Sequence, residues 1–106
     1  MDFAILTSIP IDGTDTTLRP VYDRVWGTFT VQIHKGDVIH HLGLNGNFTH
    51  ADEPLDAIDE ALAGLGVREL TELEAFLLHA GLVYAKGGGE WLIFCREAAR
   101  AAADTA

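Results

Sequence analysis

The chain has 106 residues, 48% of them hydrophobic, with 16 acids against 7 bases and a formal charge of −9. That length builds one core, and the aliphatics and aromatics spread along it exclude a disordered acidic tail. The lone cysteine, Cys95, excludes an internal disulfide, and the few scattered Lys and Arg argue against direct binding to nucleic acid or to a membrane, whose phosphates are met by clustered bases.

In chain order, Phe3 to Ile9 is predicted as a first strand ended by Pro10, and Asp12 to Thr17 as a polar loop closed before Arg19-Pro20. The N-terminus carries an acid, Asp2, where a secretory signal has bases, so no signal peptide is expected. No stretch approaches the roughly 18 apolar residues of a membrane span. A cytoplasmic location goes with these readings, and the glycosylation sequon at Asn47-Phe48-Thr49 is set aside on the same ground.

From Val21 the apolar period becomes two. With Lys35-Gly36 as a hairpin tip, Ile33 faces Val38, Val31 faces His40 and Phe29 faces Leu42. One face is then apolar, and the other carries Trp26, Thr28, Thr30, Gln32, His34, Asp37, Ile39 and His41. Asn45-Gly46 is a turn signal that folds Asn47 to His50 back as a third hairpin strand or opens a loop.

A helix follows, capped by Asp52, with Pro54 in its first turn, a stripe of Leu55, Ile58, Leu62 and Leu65, and an end at Gly64 and Gly66. Thr71 and Glu74 form a capping box for a second helix whose Leu73, Phe76, Leu77 and Ala80 face the core until Gly81. Leu82 to Lys86, the glycine tip 87 to 89, and Glu90 to Cys95 read as a second β-hairpin, with Cys95 buried and inert. Residues 1–96 then form one α+β domain, and 97–106 an alanine-rich tail, a short helix or disordered. The architecture expected is an antiparallel sheet of four to five strands with two adjacent helices on one face, in the order β-β-β-(β)-α-α-β-β.

Four of the five histidines, His34, His40, His41 and His50, fall close together in sequence and invite a metal reading. Neighbours on a strand point to opposite faces, so His40 and His41 cannot share an ion. The Asn45-Gly46 turn would set His41 opposite His50, two ligands where zinc wants three or four. His34 and Asp37 would suit a base with its orienting carboxylate, but no nucleophile motif surrounds Ser8 or Cys95. Lys86-Gly87-Gly88-Gly89 lacks the strand-to-helix context of a phosphate loop, and no EF-hand spacing is present. No catalytic residue and no cofactor are assigned.

The acidic run stands out. Between Asp52 and Glu74 eight acids oppose one base, Arg68, leaving −7 in this segment and only −2 in the rest. Glu53, Asp56 and Glu60 stand at helical spacings of three and four, which puts their carboxylates roughly 5 to 6 Å apart. A solvated helix face is one explanation. The sharper one is a row of carboxylates that imitates phosphates and docks the basic surface of a nucleic-acid-handling protein, using Glu53, Asp56, Asp59, Glu60, Glu69 and Glu72 with the exposed Trp26. In its overall profile of small size and acidity the chain resembles the anti-defence inhibitors of phages, such as anti-CRISPR proteins, and that resemblance implies a non-enzymatic inhibitor. The alternatives are a histidine-based or metal-dependent enzyme using His34, His41 and His50, and a homodimer joined through a sheet edge or Trp26.

Overall fold

The computed structural model describes residues 6–43 and 48–105. Four strands form one antiparallel sheet in sequence order: β1 (Ile9–Pro10), β2 (Thr16–Asp23), β3 (Thr28–Lys35) and β4 (Val38–Leu42). Three helices follow: α1 (Glu53–Gly64), α2 (Glu72–Lys86) and α3 (Gly88–Thr105). The class is α+β, as the pattern of elements predicts, but among the described residues the helices number three, and the β-hairpin expected over residues 82–95 is replaced by the end of α2 and the start of α3.

The first strand is shorter than expected and includes Pro10, which pairs with Thr17; the earlier part of the expected strand, residues 3–5, lies outside the described residues. The loop also closes sooner, because Thr16 and Thr17 already belong to β2. A second hairpin, β2 to β3, occupies what reads as one alternating stretch from Val21. Its turn is set by the Asp23 carboxylate, which accepts the Val25 and Trp26 amides at 2.8 and 3.2 Å. Gly27 then supplies a positive φ of 66°. Pro20 stands opposite Val31 without breaking the ladder. In antiparallel pairing alternate residues turn their amides to alternate sides, and Pro20 falls in the set directed away from β3.

The β3–β4 hairpin keeps the expected faces and changes register by two. Ile33 pairs with His40 and Val31 with Leu42, because the turn is Gly36-Asp37 rather than Lys35-Gly36. Gly36 has φ 58° and Asp37 does not have positive φ, the pattern of a II′ turn with glycine first. A shift of two preserves the side to which every residue points, so Phe29, Val31 and Ile33 are still the buried row.

The helices cover this face, α2 lying over β1 and β2 and α1 over β3 and β4. The core joins Ile9, Leu18, Phe29, Val31 and Ile33 of the sheet to Ile58, Leu62, Leu78 and Leu82 of the helices. Each such side chain taken from water stabilises the fold by roughly 1.5 to 3 kcal/mol. In α1 the buried stripe is Pro54, Ile58 and Leu62, with Leu55 and Leu65 packed at its margin. Asp52 takes the cap position with helical dihedrals and no capping bond from its side chain.

In α2 the capping box forms as the sequence predicts, Thr71 Oγ1 accepting the Glu74 amide and the Glu74 carboxylate accepting the Thr71 amide. The inward face differs. Leu73 and Phe76 are exposed, and the core takes Glu74, Leu78, Ala80, Gly81, Leu82 and Val83. Gly81 does not end the helix, which runs five residues further to a cap at Gly87.

Gly87 joins two helices, not two strands, and Gly88 and Gly89 open α3. Trp91 and Phe94 face α2, where their rings meet Tyr84, Phe76 and His79 at centroid distances of 5.1 to 6.0 Å. Leu92, Ile93 and Cys95 are exposed, so the apolar run from Trp91 to Cys95 has helical rather than strand period. Cys95 is accordingly not the buried residue that a central strand would make it. The helix continues through residues 97–105 with no break at 96.

Candidate protein-binding surface

The acidic segment maps onto α1, the connection after it and the first turn of α2. Burying Pro54, Ile58 and Leu62 turns Asp56, Asp59 and Glu60 outward, and all three are exposed. One contact joins the two acidic stretches: Asp59 Oδ1 accepts the Leu70 amide at 3.0 Å. That bond sets the acidic side of α1 beside Glu69 and Glu72, both exposed.

Arg68, the only base in the segment, is taken up internally. Its guanidinium donates to both oxygens of Glu74 at 2.8 and 3.0 Å and to the Asp12 carbonyl at 2.8 Å. Glu74 is thus removed from the surface, while the other seven acids between residues 52 and 74 have no ion-pair partner among the described residues. The Glu74 carboxylate also accepts the Asp12 and Thr71 amides. Hydrogen bonding from Arg68, above all, holds its carboxyl down at about 2. The sequence reading counts Glu74 in the charge of the acidic run and in the capping box, but not among the docking residues. The capping box was the signal that its carboxylate turns back onto the chain.

The six acids proposed from sequence therefore divide. Glu53 closes the entrance to α1, Oε1 accepting the Thr49 and His50 amides at 3.0 and 2.9 Å, and these bonds lower its pKa. Asp59 holds the connection through Leu70. Asp56, Glu60, Glu69 and Glu72 make no side-chain hydrogen bond among the described residues.

Trp26 is exposed but lies elsewhere. The Arg24 guanidinium of its turn donates to the Ala85 carbonyl at 3.3 Å, which fixes this turn at the C-terminal end of α2. Glu72 opens the same helix, so at 1.5 Å per residue the two lie roughly 20 Å apart along its axis. The glycine joint at 87–89 is on the Trp26 side. One small contact patch cannot hold both Trp26 and the acidic surface.

The histidines do not converge. His41 pairs with Gln32, His40 with Ile33, and the His34 ring meets the Gln32 side chain at 3.1 Å. The Asn45-Gly46 turn invoked to bring His50 to His41 lies outside the described residues. Among the described residues no group of three or more His, Cys, Asp or Glu is placed to hold a metal ion, and no helix is long and apolar enough to cross a membrane. No family model, curated protein or solved structure matches the chain.

Proposed function

We propose that the protein is a non-enzymatic binding module whose acidic surface docks a basic surface of a partner protein, one that handles nucleic acid, and blocks it as an inhibitor. The observation that supports this reading is the Asp59 to Leu70 bond, which makes one surface of two acidic stretches while Arg68 is consumed by Glu74. Carboxylates held on a helix face offer a basic groove what phosphates offer it, and like charges in a row raise the association rate through the field they sum.

The test is capture on the immobilised protein with nuclease present and salt stepped upward, followed by titration of the eluted partner. The double variant Asp56→Lys/Glu60→Lys, at two exposed positions whose side chains make no hydrogen bond or ion pair among the described residues, should keep the fold and bind about ten- to hundredfold more weakly, with a shallower salt dependence. Equal affinity for parent and variant would end the proposal. It would also end if the partner binds as well after Glu69→Lys/Glu72→Lys.

A further inference from the structure

We infer that the chain forms a symmetric dimer by antiparallel pairing of β4 with β4 of a second copy, an interface independent of the acidic surface. Among the described residues no strand lies beyond β4. Its outward backbone groups follow from the ladder. The Phe29 amide points to the β4 side, where it donates to Phe48 O, so the odd residues of β3 bond toward β4 and pair with Val38, His40 and Leu42. Ile39 and His41 are left with their N–H and C=O directed at the free edge.

The side chains of this strand argue for edge pairing rather than for a ligand on one face. Val38 is 55% and Ile39 51% exposed. Being consecutive they point to opposite faces, so nothing lying on a single face of the sheet would cover both. A strand added at the edge touches both. Edge strands of monomers are normally blunted by Lys, Pro, a bulge or an inward charge. Val38 to Leu42 carries no Lys, Arg, Pro or carboxylate in a chain of net charge −9, and it pairs with β3 without a bulge. Of the two edge strands it is the longer and the one without proline, and no carboxylate within it repels a second copy of this acidic chain.

The second copy also fits in register. A two-fold axis at His40 sets Ile39 opposite the partner's His41, each pair exchanging two hydrogen bonds, and Val38 opposite the partner's Leu42, so exposed Val38 meets a half-buried apolar side chain. The two sheets of four strands become one of eight. Such an isologous contact closes after two copies.

Sedimentation equilibrium and a cysteine cross-link test this together. At protein concentrations up to about 100 μM the parent should reach twice its 11.5 kDa chain mass. Ile39→Lys places an ammonium on the exposed edge, and His41→Pro removes an outward N–H while leaving the bonds to β3 intact. Each should raise the dissociation constant by at least about tenfold with an unchanged far-ultraviolet circular dichroism spectrum. His40 lies at a non-hydrogen-bonded position, where facing Cα atoms are about 4.5 Å apart, within disulfide reach. His40→Cys in a Cys95→Ser background should therefore cross-link two chains under mild oxidation. A monomeric parent, a dimer indifferent to both edge variants, or a dimer that does not cross-link through position 40 would each overturn the inference.

Discussion

Glu74→Gln should lower stability by about 2 to 3 kcal/mol at neutral pH, a fall in melting temperature of roughly 10 to 20 °C for a domain of this size. Glutamine retains the shape and can still accept the Thr71 amide, so the capping box survives in part. What it loses is the charge that Arg68 neutralises at 2.8 Å and one of the acceptor oxygens that Arg68 and the Asp12 amide share. The Glu74 side chain is 6% exposed and that of Arg68 38%, so one partner still meets water. Solvent screening of Arg68 keeps the effect below the 3 to 5 kcal/mol or so expected of a fully buried pair.

The same residue sets an acid limit. Its carboxyl titrates at about 2 in the folded chain against an ordinary 4.5. Folding therefore favours the ionised form, and the stabilisation is fully present above the unfolded value. It diminishes as pH falls below 4.5 and is gone below about 2. Denaturant titrations of parent and Glu74→Gln at neutral pH and near pH 3 should show the gap between them narrowing on acidification. A gap that stays constant would mean that lost packing, rather than lost charge, accounts for the difference.

Gly81→Ala should destabilise although alanine is the better helix former. Alanine gains about 1 kcal/mol of intrinsic helix propensity over glycine. At this position, however, a Cβ would stand 2.5 Å from the Leu6 carbonyl oxygen and 2.7 Å from Pro20 Cγ. Neither is the free end of a flexible side chain, so α2 must lift from β2, at a cost of roughly 3 kcal/mol or more from disturbed packing. The net loss should be about 2 kcal/mol or greater. Gly64→Ala is the control: a Cβ there meets nothing within 4 Å, and the change should be neutral or stabilise by up to about 1 kcal/mol. Chemical denaturation of the three proteins decides the matter, and equal stability of Gly81→Ala and the parent would show that the helix seats without that close approach.

The features legible in the sequence were those decided by local chemistry. The capping box of α2 needs only Thr71 and Glu74, and the strand faces need only the alternation of Phe29, Val31 and Ile33. Register was less legible, because alternation is indifferent to a slip of two and only the backbone demand at Gly36 separates the candidates. The segment from Leu82 to Cys95 misled for a related reason. A run of five apolar residues has no period to read, and three glycines end a helix as readily as they turn a hairpin. Trp91 and Phe94, three apart, were the helical signal within it. Of the proposed binding surface, exposure of Asp56 and Glu60 followed from the apolar stripe of α1 that they oppose, whereas Glu69 lies in the connection and the stripe read for α2 was not the buried one. The burial of Glu74 did not follow, since one of its partners, Asp12, is 62 residues away, and the separation of Trp26 from the acids depended on which end of α2 receives the β2–β3 turn.

The way α3 is attached divides the molecule into parts of unequal persistence. Its main packing is against α2, through the rings of Phe76, His79, Tyr84, Trp91 and Phe94, and the chain reaches it across Gly87 and Gly88, both at positive φ. The sheet, by contrast, shares its buried side chains with two helices at once. Opening α3 exposes one aromatic seam and leaves the core intact, whereas opening a central strand exposes everything. In hydrogen exchange, the amides of α3 would exchange as a unit, ahead of β2, β3 and the Leu78 to Leu82 turn of α2.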